Sequence, residues 1–458
     1  MSSNDTSVSP LNGGDTAWII TSSVLVFVQI PALGFFYAGL VESKNSLSTL
    51  LSVLLCGSVV IFQWILFGYS LSFSDTSSSN FIGNFAYGVL RNSMDTQNLV
   101  ATTIPNALLC MYQMMFAAIT PGLLIGGVAG RLRLIPMMVF VFLWTTIVYD
   151  QIAYWNWSVS GWLHAMNVMD YAGGSVVHIS SGVTGFVLAM MLGKRVDYGK
   201  KTYKPHNPTF VYLGTALIWF GWNGFNGGSA FASNQRSVAA AFATNIAAAM
   251  GGLTFMLMEK YVNKKGLSAV AYCNGVVIGL VAITPGSGFV QPIFAIFFGI
   301  IPAIACFYAM KVGHWLKVDD VLEVGASHGV GGAVGMLMTG IFAQYSITTL
   351  DAGPGVPAGW LDGQWMQVPV QLAGIASVTA WTAAWTAIIV YVMNMIPGLK
   401  LRCDEDAERV GLDIAEVGEA AYPYVPVMPE EEDVEAAAKI GPIESQVSLT
   451  TLANNSRA

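Results

Sequence analysis

Two histidines, His178 and His328, stand 150 residues apart in matching surroundings. Each follows an aspartate by eight residues and precedes a glycine by four, as Asp170-x7-His178-x3-Gly182 and Asp320-x7-His328-x3-Gly332, inside an otherwise apolar stretch. An ionisable ring is costly in hydrocarbon unless it is paired or lines a pathway. A neutral imidazole offers one donor and one acceptor, so two facing rings share a proton and extend a chain of acceptors. The chemistry expected of such a pair is conduction of a small polar substrate.

The elements that hold these rings must be membrane helices. Of 458 residues only 10% are charged and 54% are hydrophobic, whereas soluble domains carry roughly 25% charge. Apolar stretches of about 20 residues, enough to cross the hydrocarbon core, fall near 17–40, 47–71, 106–128, 134–153, 172–193, 209–231, 238–258, 268–284, 290–310, 322–345 and 368–396. With the N-terminus outside, the inner loops collect 13 Lys and Arg and the outer loops only Arg91 and Arg236. Cytoplasmic loops gather basic charge, which predicts N-out, C-in. No Lys or Arg precedes the first span, so a cleaved signal peptide lacks its basic n-region and a retained helix is expected.

The histidine repeat has company. Ile119-Thr120-Pro121-Gly122 in the third span recurs as Ile283-Thr284-Pro285-Gly286 in the eighth, and Gly34-Phe35 in the first resembles Gly224-Phe225 in the sixth. Every match is offset by five spans, and an odd number per repeat inverts one half against the other. Transporters built this way place their site near the midplane, between the halves. The predicted fold is therefore an all-α polytopic membrane protein of eleven transmembrane helices, spans 1–5 and 6–10 forming an inverted repeat, with an eleventh helix after them. The fifth and tenth spans enter from opposite faces and each bring a histidine ~12 Å into the membrane.

Residues 1–16 are expected outside, 17–397 form the membrane domain, and 398–458 a cytosolic tail, disordered beyond about 425. That tail carries 13 acidic and five basic residues, against 14 and 15 in the rest of the chain. The acidic balance thus belongs to the appendage, whose Glu430-Glu431-Glu432-Asp433 run and Ser/Thr/Asn-rich end suit a solvated coil. Asn4-Asp5-Thr6 is a glycosylation sequon on the outer terminus, while the sequon at Asn156 lies too close to a span to be used. The five cysteines show no disulfide or metal spacing and read as small apolar fillers. His164, His206 and His314 are expected to be solvated in loops. Asp319 and Asp320 are expected to be structural caps, and Asp170 suits a helix N-terminus.

Four stretches carry a family resemblance: Asp170-Tyr171-Ala172-Gly173-Gly174-Ser175-Val176-Val177-His178, Lys204-Pro205-His206-Asn207, Gly221-Trp222-Asn223-Gly224-Phe225-Asn226-Gly227-Gly228-Ser229 and Ser327-His328-Gly329-Val330-Gly331-Gly332. Over roughly 15–425 the chain resembles the ammonium transporter, methylammonium permease and Rhesus family, most closely its fungal high-affinity branch, whose members also sense ammonium. The resemblance implies a plasma-membrane homotrimer with one pore per subunit, moving ammonium or methylammonium among membrane lipid. It implies Trp157 and Ser229 as the recruiting site, Asp170 as a support for deprotonation, Phe116 and Phe225 as a gate, and His178 and His328 as the pore. Trp155 and Trp162 stand close to Trp157, and an aromatic-belt role suits that position too.

The resemblance further implies that Gly411-Leu412-Asp413 and Gly418-Glu419 dock the tail on the loops around Arg131–Arg133 and Lys194–Lys204. The opposite charges make that attraction salt-sensitive. Regulatory phosphorylation by a kinase is implied in the distal tail, where Ser445, Ser448, Thr450 and Thr451 are available. Three functions remain in view: ammonium uptake with NH3 and H+ on separate paths, a passive NH3 or CO2 channel of Rhesus type, and a sensor whose transport is incidental. No nucleophile–base pair or metal motif appears, so no enzyme activity, cofactor or nucleic acid partner is expected.

Overall fold

A computed structural model describes residues 10–94, 96–350 and 357–422. Among these, the chain is helical, with isolated bridges such as Leu132↔Arg402 in place of strands. We label the long helices α1 (Gly13–Leu40), α2 (Ser43–Phe73), α3 (Asn106–Val128), α4 (134–157), α5 (Gly174–Leu192), α6 (Pro208–Gly227), α7 (Gln235–Tyr261), α8 (Ala269–Ile283), α9 (Ala295–Trp315), α10 (325–342) and α11 (Gln367–Met395). Eight of the described helices are long and apolar enough to cross a membrane. The other three long helices, α6, α8 and α10, are shorter or richer in glycine and polar residues, yet fall on three of the expected spans.

Inside a bilayer every backbone group must find a partner within the protein, and several helix starts are capped by side chains. Asn12, Asn207, Asn234 and Ser268 accept from the first turns of α1, α6, α7 and α8. Pro208 at the first position of α6 adds a preset φ. Residues such as Phe27, Phe62, Phe242, Phe297 and Tyr391 face outward, an apolar exterior that suits a lipid or subunit surroundings.

Glycines fix the pairing of the halves. Along α1 and α6, Gly224 meets Leu25, Gly214 meets Ala32 and Phe36, and Gly39 meets Val211, which is an antiparallel packing of first against sixth. Along α5 and α10, Gly174 meets Gly332, Gly182 meets Gly329 and Gly185 meets Val324, again antiparallel. The repeated Ile-Thr-Pro-Gly motif, by contrast, diverges. Pro121 lies inside α3, whereas α8 ends before Pro285, whose carbonyl accepts from the Tyr171 amide. The Gly34-Phe35 match diverges also: Phe35 packs edge-on against Phe210, away from the aromatic pair that Phe225 joins.

Residues 398–421 belong to the same compact unit as the helices. Asn4, Ser445, Ser448, Thr450 and Thr451 lie outside the described residues, as does the tail expected to be disordered.

Candidate functional site

The site is built on the crossing of α5 and α10. Both helices open on a wide π turn, Gly174–Ile179 and Gly325–Val330, and each histidine sits in it. Asp170 organises the first: its Oδ1 accepts from the amides of Gly173 and Gly174, and its Oδ2 from the amides of Ser175 and Val176 and the Ser175 hydroxyl. Gly173 has φ +113°, a left-handed turn that favours glycine. Asp320 caps the second by accepting from Val324 and Gly325. A Cβ on Gly182 would lie 2.1 Å from the Gly329 nitrogen, so the repeated glycine of the motif is what lets the helices cross. At that crossing the Nδ1 atoms of His178 and His328 are 3.3 Å apart, both rings buried.

A cavity of about 490 Å³ opens on the side where α5 begins, called upper here, and includes Gln113, Phe116, Trp157, Asp170 and Ser229 in its lining. A second, about 350 Å³, includes Tyr37, Asn274, Glu323, Ser327 and His328. Between them stand Phe116 and Phe225, ring centroids 4.1 Å apart, and then His178, whose ring stacks on Trp222 at 5.4 Å and 18°. The structure thus gathers Trp157, Ser229, Phe116, Phe225, His178 and His328 along one line. Trp157 points its indole N–H at the Asp170 carbonyl (2.9 Å) and lies edge-on to Phe116 and nearly parallel to Phe73. Trp155 instead packs against Phe81 and Trp381, so it is Trp157 that lines the cavity.

The Asp170 carboxylate is committed to the α5 amides, and its backbone carbonyl orients the tryptophan. Ser229 donates to the Phe225 carbonyl at 2.8 Å, and the Tyr112 hydroxyl bonds the same carbonyl and approaches the serine at 3.2 Å. Sequence reasoning misses Tyr112, Gln113, Trp222 and Phe73. Gln113 and Trp222 each precede a gate phenylalanine by three residues and so share its helix face, a spacing open to reading. Nothing local marks Phe73, which arrives from the end of α2.

Opposite the upper cavity, Asp319 is no cap. It pairs with Arg195 at 2.7 Å and with buried Arg131 at 3.6 Å. Burial opposes its charge, but the hydrogen bonds and charge of Arg195, aided by Arg131, outweigh it and hold the carboxyl below the usual range. Partly buried Asp320 behaves oppositely: burial, ahead of its amide hydrogen bonds, raises its carboxyl to about 6. A group that holds its proton more tightly when folded stabilises the fold below its unfolded value, about 4. That stability is lost as the pH rises through the folded value. The purified protein is therefore expected to lose on the order of 2 kcal/mol through this group between about pH 4 and 6. Asp320→Asn should flatten that limb of a thermal-unfolding profile, while the contribution of Asp319 falls away only below pH ~4.

Of the histidines expected to be solvated, His164 and His314 are exposed and His206 is half-buried. His314 pairs with Glu323 at 3.0 Å, His206 meets the Val41 carbonyl at 2.9 Å, and His164 lines the upper cavity.

The tail docks by capping helices. Asp413 accepts from the amides of Leu47 and Ser48 at the start of α2 (3.0 and 2.7 Å), and Glu416 from the Leu134 amide at the start of α4 (2.9 Å). Cys403 and Arg133 pair through backbone with Arg131 and Leu401. Glu408 takes the Val196 amide and Arg402. Gly411 turns at φ +104° where a Cβ would lie 2.6 Å from Lys44. The expected attraction between opposite net charges is thus a minor part of the contact. Lys201 is spent on Glu42 and Asp197, and of the basic side chains around 131–133 only Arg133 reaches a tail carboxylate, Glu416, at 3.7 Å. No group of three or more His, Cys, Asp or Glu placed to hold a metal occurs among the described residues.

A multi-helix membrane fold with two cavities on either side of a phenylalanine pair and a buried histidine pair defines the class: a polytopic membrane protein. Residues 17–422 match the family model described as Ammonium Transporter Family, and the chain belongs to that family. It is 45% identical to ammonium transporter 1 of Schizosaccharomyces pombe, over 90% of this chain and 83% of that one. It is 42% identical to ammonium transporter Mep2 of Saccharomyces cerevisiae, over 88% and 82%. The crystal structure of Saccharomyces cerevisiae Mep2 superposes with a TM-score of 0.84 at 40% identity, covering 92% of this chain and 94% of that one.

Proposed function

We propose that this protein takes up ammonium, and methylammonium as its analogue, across the plasma membrane. In this reading the upper cavity faces outside, the tail lies inside, and three subunits assemble with a pore in each. The relatives, themselves named ammonium transporters, support the substrate. The observation that carries the mechanism is the 3.3 Å contact between His178 and His328 Nδ1 atoms, set between two cavities.

Ammonium enters the upper cavity over the face of Trp157, whose ring attracts a cation, with the Ser229 oxygen as acceptor. The close-packed Phe116 and Phe225 strip water, and a desolvated site disfavours the charged form. NH3 then meets the buried His178 ring, whose Nε2 has no hydrogen-bond partner among the described residues. One Nδ1 must donate to the other, so one Nε2 is an acceptor and the other carries a proton. The proton shed by ammonium is accepted at the unprotonated Nε2, the shared proton shifts to the other ring, and that ring releases its own Nε2 proton on the far side, while NH3 moves along the same ring nitrogens. A kinase acting on Ser445 or Ser448 would adjust this activity through the tail.

Trp157→Leu is expected to remove about 1 kcal/mol of cation attraction, a roughly fivefold rise in KM for methylammonium uptake with Vmax retained. An unchanged KM at normal surface expression would pass the role to another residue. Purified protein in liposomes should give an ammonium-evoked current; uptake without current would favour the passive gas channel.

A further inference from the structure

Asp150 is a fully buried acid inside α4 that lines neither cavity. Among the described residues it has no Lys, Arg or His partner within ion-pair distance. An ionisable side chain within a membrane helix is expensive and calls for a role. Its partners both come from α2: Gln63 Nε2 donates to Oδ2 at 2.7 Å, and the Ser72 hydroxyl lies 3.4 Å from Oδ1.

Those partners flank the wide turn Trp64–Gly68, and Asp150 directly succeeds the matching wide turn Thr145–Tyr149 on α4. Each such turn admits an extra residue and rotates the helix beyond it. The acid thus spans the widened segment of α2 and fixes the rotation of its final turn. Gly68 makes room for this: a Cβ there would lie 2.4 Å from Gln63 Oε1. Next to Ser72 is Phe73, whose ring lies 6.4 Å from that of Trp157 and within 19° of parallel. Asp150 and Trp157 share one helix, seven residues and about two turns apart. The same helix that carries the tryptophan therefore sets the position of the ring backing it.

We propose that Asp150 is a positioning residue for substrate recruitment: through Gln63 and Ser72 it holds Phe73 behind Trp157 and so fixes the ring face offered to the cation. The inference rests on Trp157 being the recruiting residue. It gives a use to an acid that the pore leaves idle.

The test is methylammonium uptake by the full-length protein in cells lacking their own ammonium transporters, with KM and Vmax normalised to surface protein. Asp150→Leu and Phe73→Leu should each raise KM roughly fivefold at retained Vmax. Asp150→Asn, which keeps an acceptor oxygen for Gln63 and offers its amide N–H to the Ser72 hydroxyl, should stay within about twofold of the parent. In a Trp157→Leu background neither leucine change should raise KM further, since coupled residues are not additive. A mere structural tether would lower Vmax and surface level and would add fully to Trp157→Leu; that result overturns the proposal, as does Asp150→Asn failing like Asp150→Leu. Should Asp150→Leu not reach the surface, Phe73→Leu and Asp150→Asn decide by the same criteria. An effect of Trp157→Leu with none from Phe73→Leu sinks the positioning role alone; no effect of Trp157→Leu removes the recruiting reading and this inference with it.

Discussion

Replacing His178 and His328 together with leucine is expected to abolish selective ammonium current. Between them the rings supply one acceptor and one donor to a desolvated substrate, and losing one such hydrogen bond costs about 1–1.5 kcal/mol, so two amount to roughly a hundredfold in rate. The shared Nδ1 contact makes the pair a unit, and the single replacements should together cost more than the double, because either alone strands its partner. What remains in the double variant depends on water: a dry leucine-lined segment passes nothing, and a hydrated one leaks ions such as K+. Currents from ammonium and from K+ in proteoliposomes measure both. Parental current with parental selectivity in the double variant would end the proton-sharing mechanism.

Asp413→Ala is expected to be nearly as damaging although it lies at the far end of the chain. The buried carboxylate holds two amides at the start of α2. Stranding buried donors costs about 1–3 kcal/mol each. The start of α2 is held in place further by Asn45, which accepts from Leu412, and by Lys44, which donates to the carbonyls of Glu408 and Arg409. Transport should fall at least tenfold and the melting temperature of the purified protein should drop by several degrees, about what 2 kcal/mol does to a large domain. Truncation after residue 427 leaves this dock untouched. That variant should fold, assemble and transport, but lose its response to nitrogen supply. Parental transport by Asp413→Ala together with a parental nitrogen response from the truncated chain would dismiss the tail as a regulator.

The histidine pair is legible in sequence because a duplicated motif carries its own control: two copies of Asp-x7-His-x3-Gly at equal offsets leave little to chance. Even its final glycine has an evident physical cause, the close approach at Gly182 and Gly332. Phe116 and Phe225 are reachable only through family resemblance, since phenylalanine in a membrane helix is ordinarily packing. Asp150 escapes such a reading because one acid in an apolar helix has no pattern, and its partners Gln63 and Ser72 are brought to it by two wide turns that hydrophobic periodicity does not reveal. Asp319 is misread as a cap for a related reason. Adjacent to Asp320 and alike in type, it differs only in facing Arg131 and Arg195, which are 188 and 124 residues away. Sequence places the tail docking near the right loops, but net charge names the attraction, whereas backbone amides at helix starts provide most of it.

The antiparallel crossing of α5 and α10 also bears on the voltage response of the pore. Each helix carries a positive end at its capped start, and the two starts lie on opposite sides of the histidines. Their dipoles therefore oppose each other, and the backbone adds little net field along the conduction path. What differs is the charged lining of the two cavities, Asp170 and Arg236 in one and Glu42, Glu259, Glu323, Arg195 and Lys265 in the other. Under the proposed function, a difference between inward and outward currents at equal driving force is expected to follow the side chains at the two entrances rather than the paired helices at the centre.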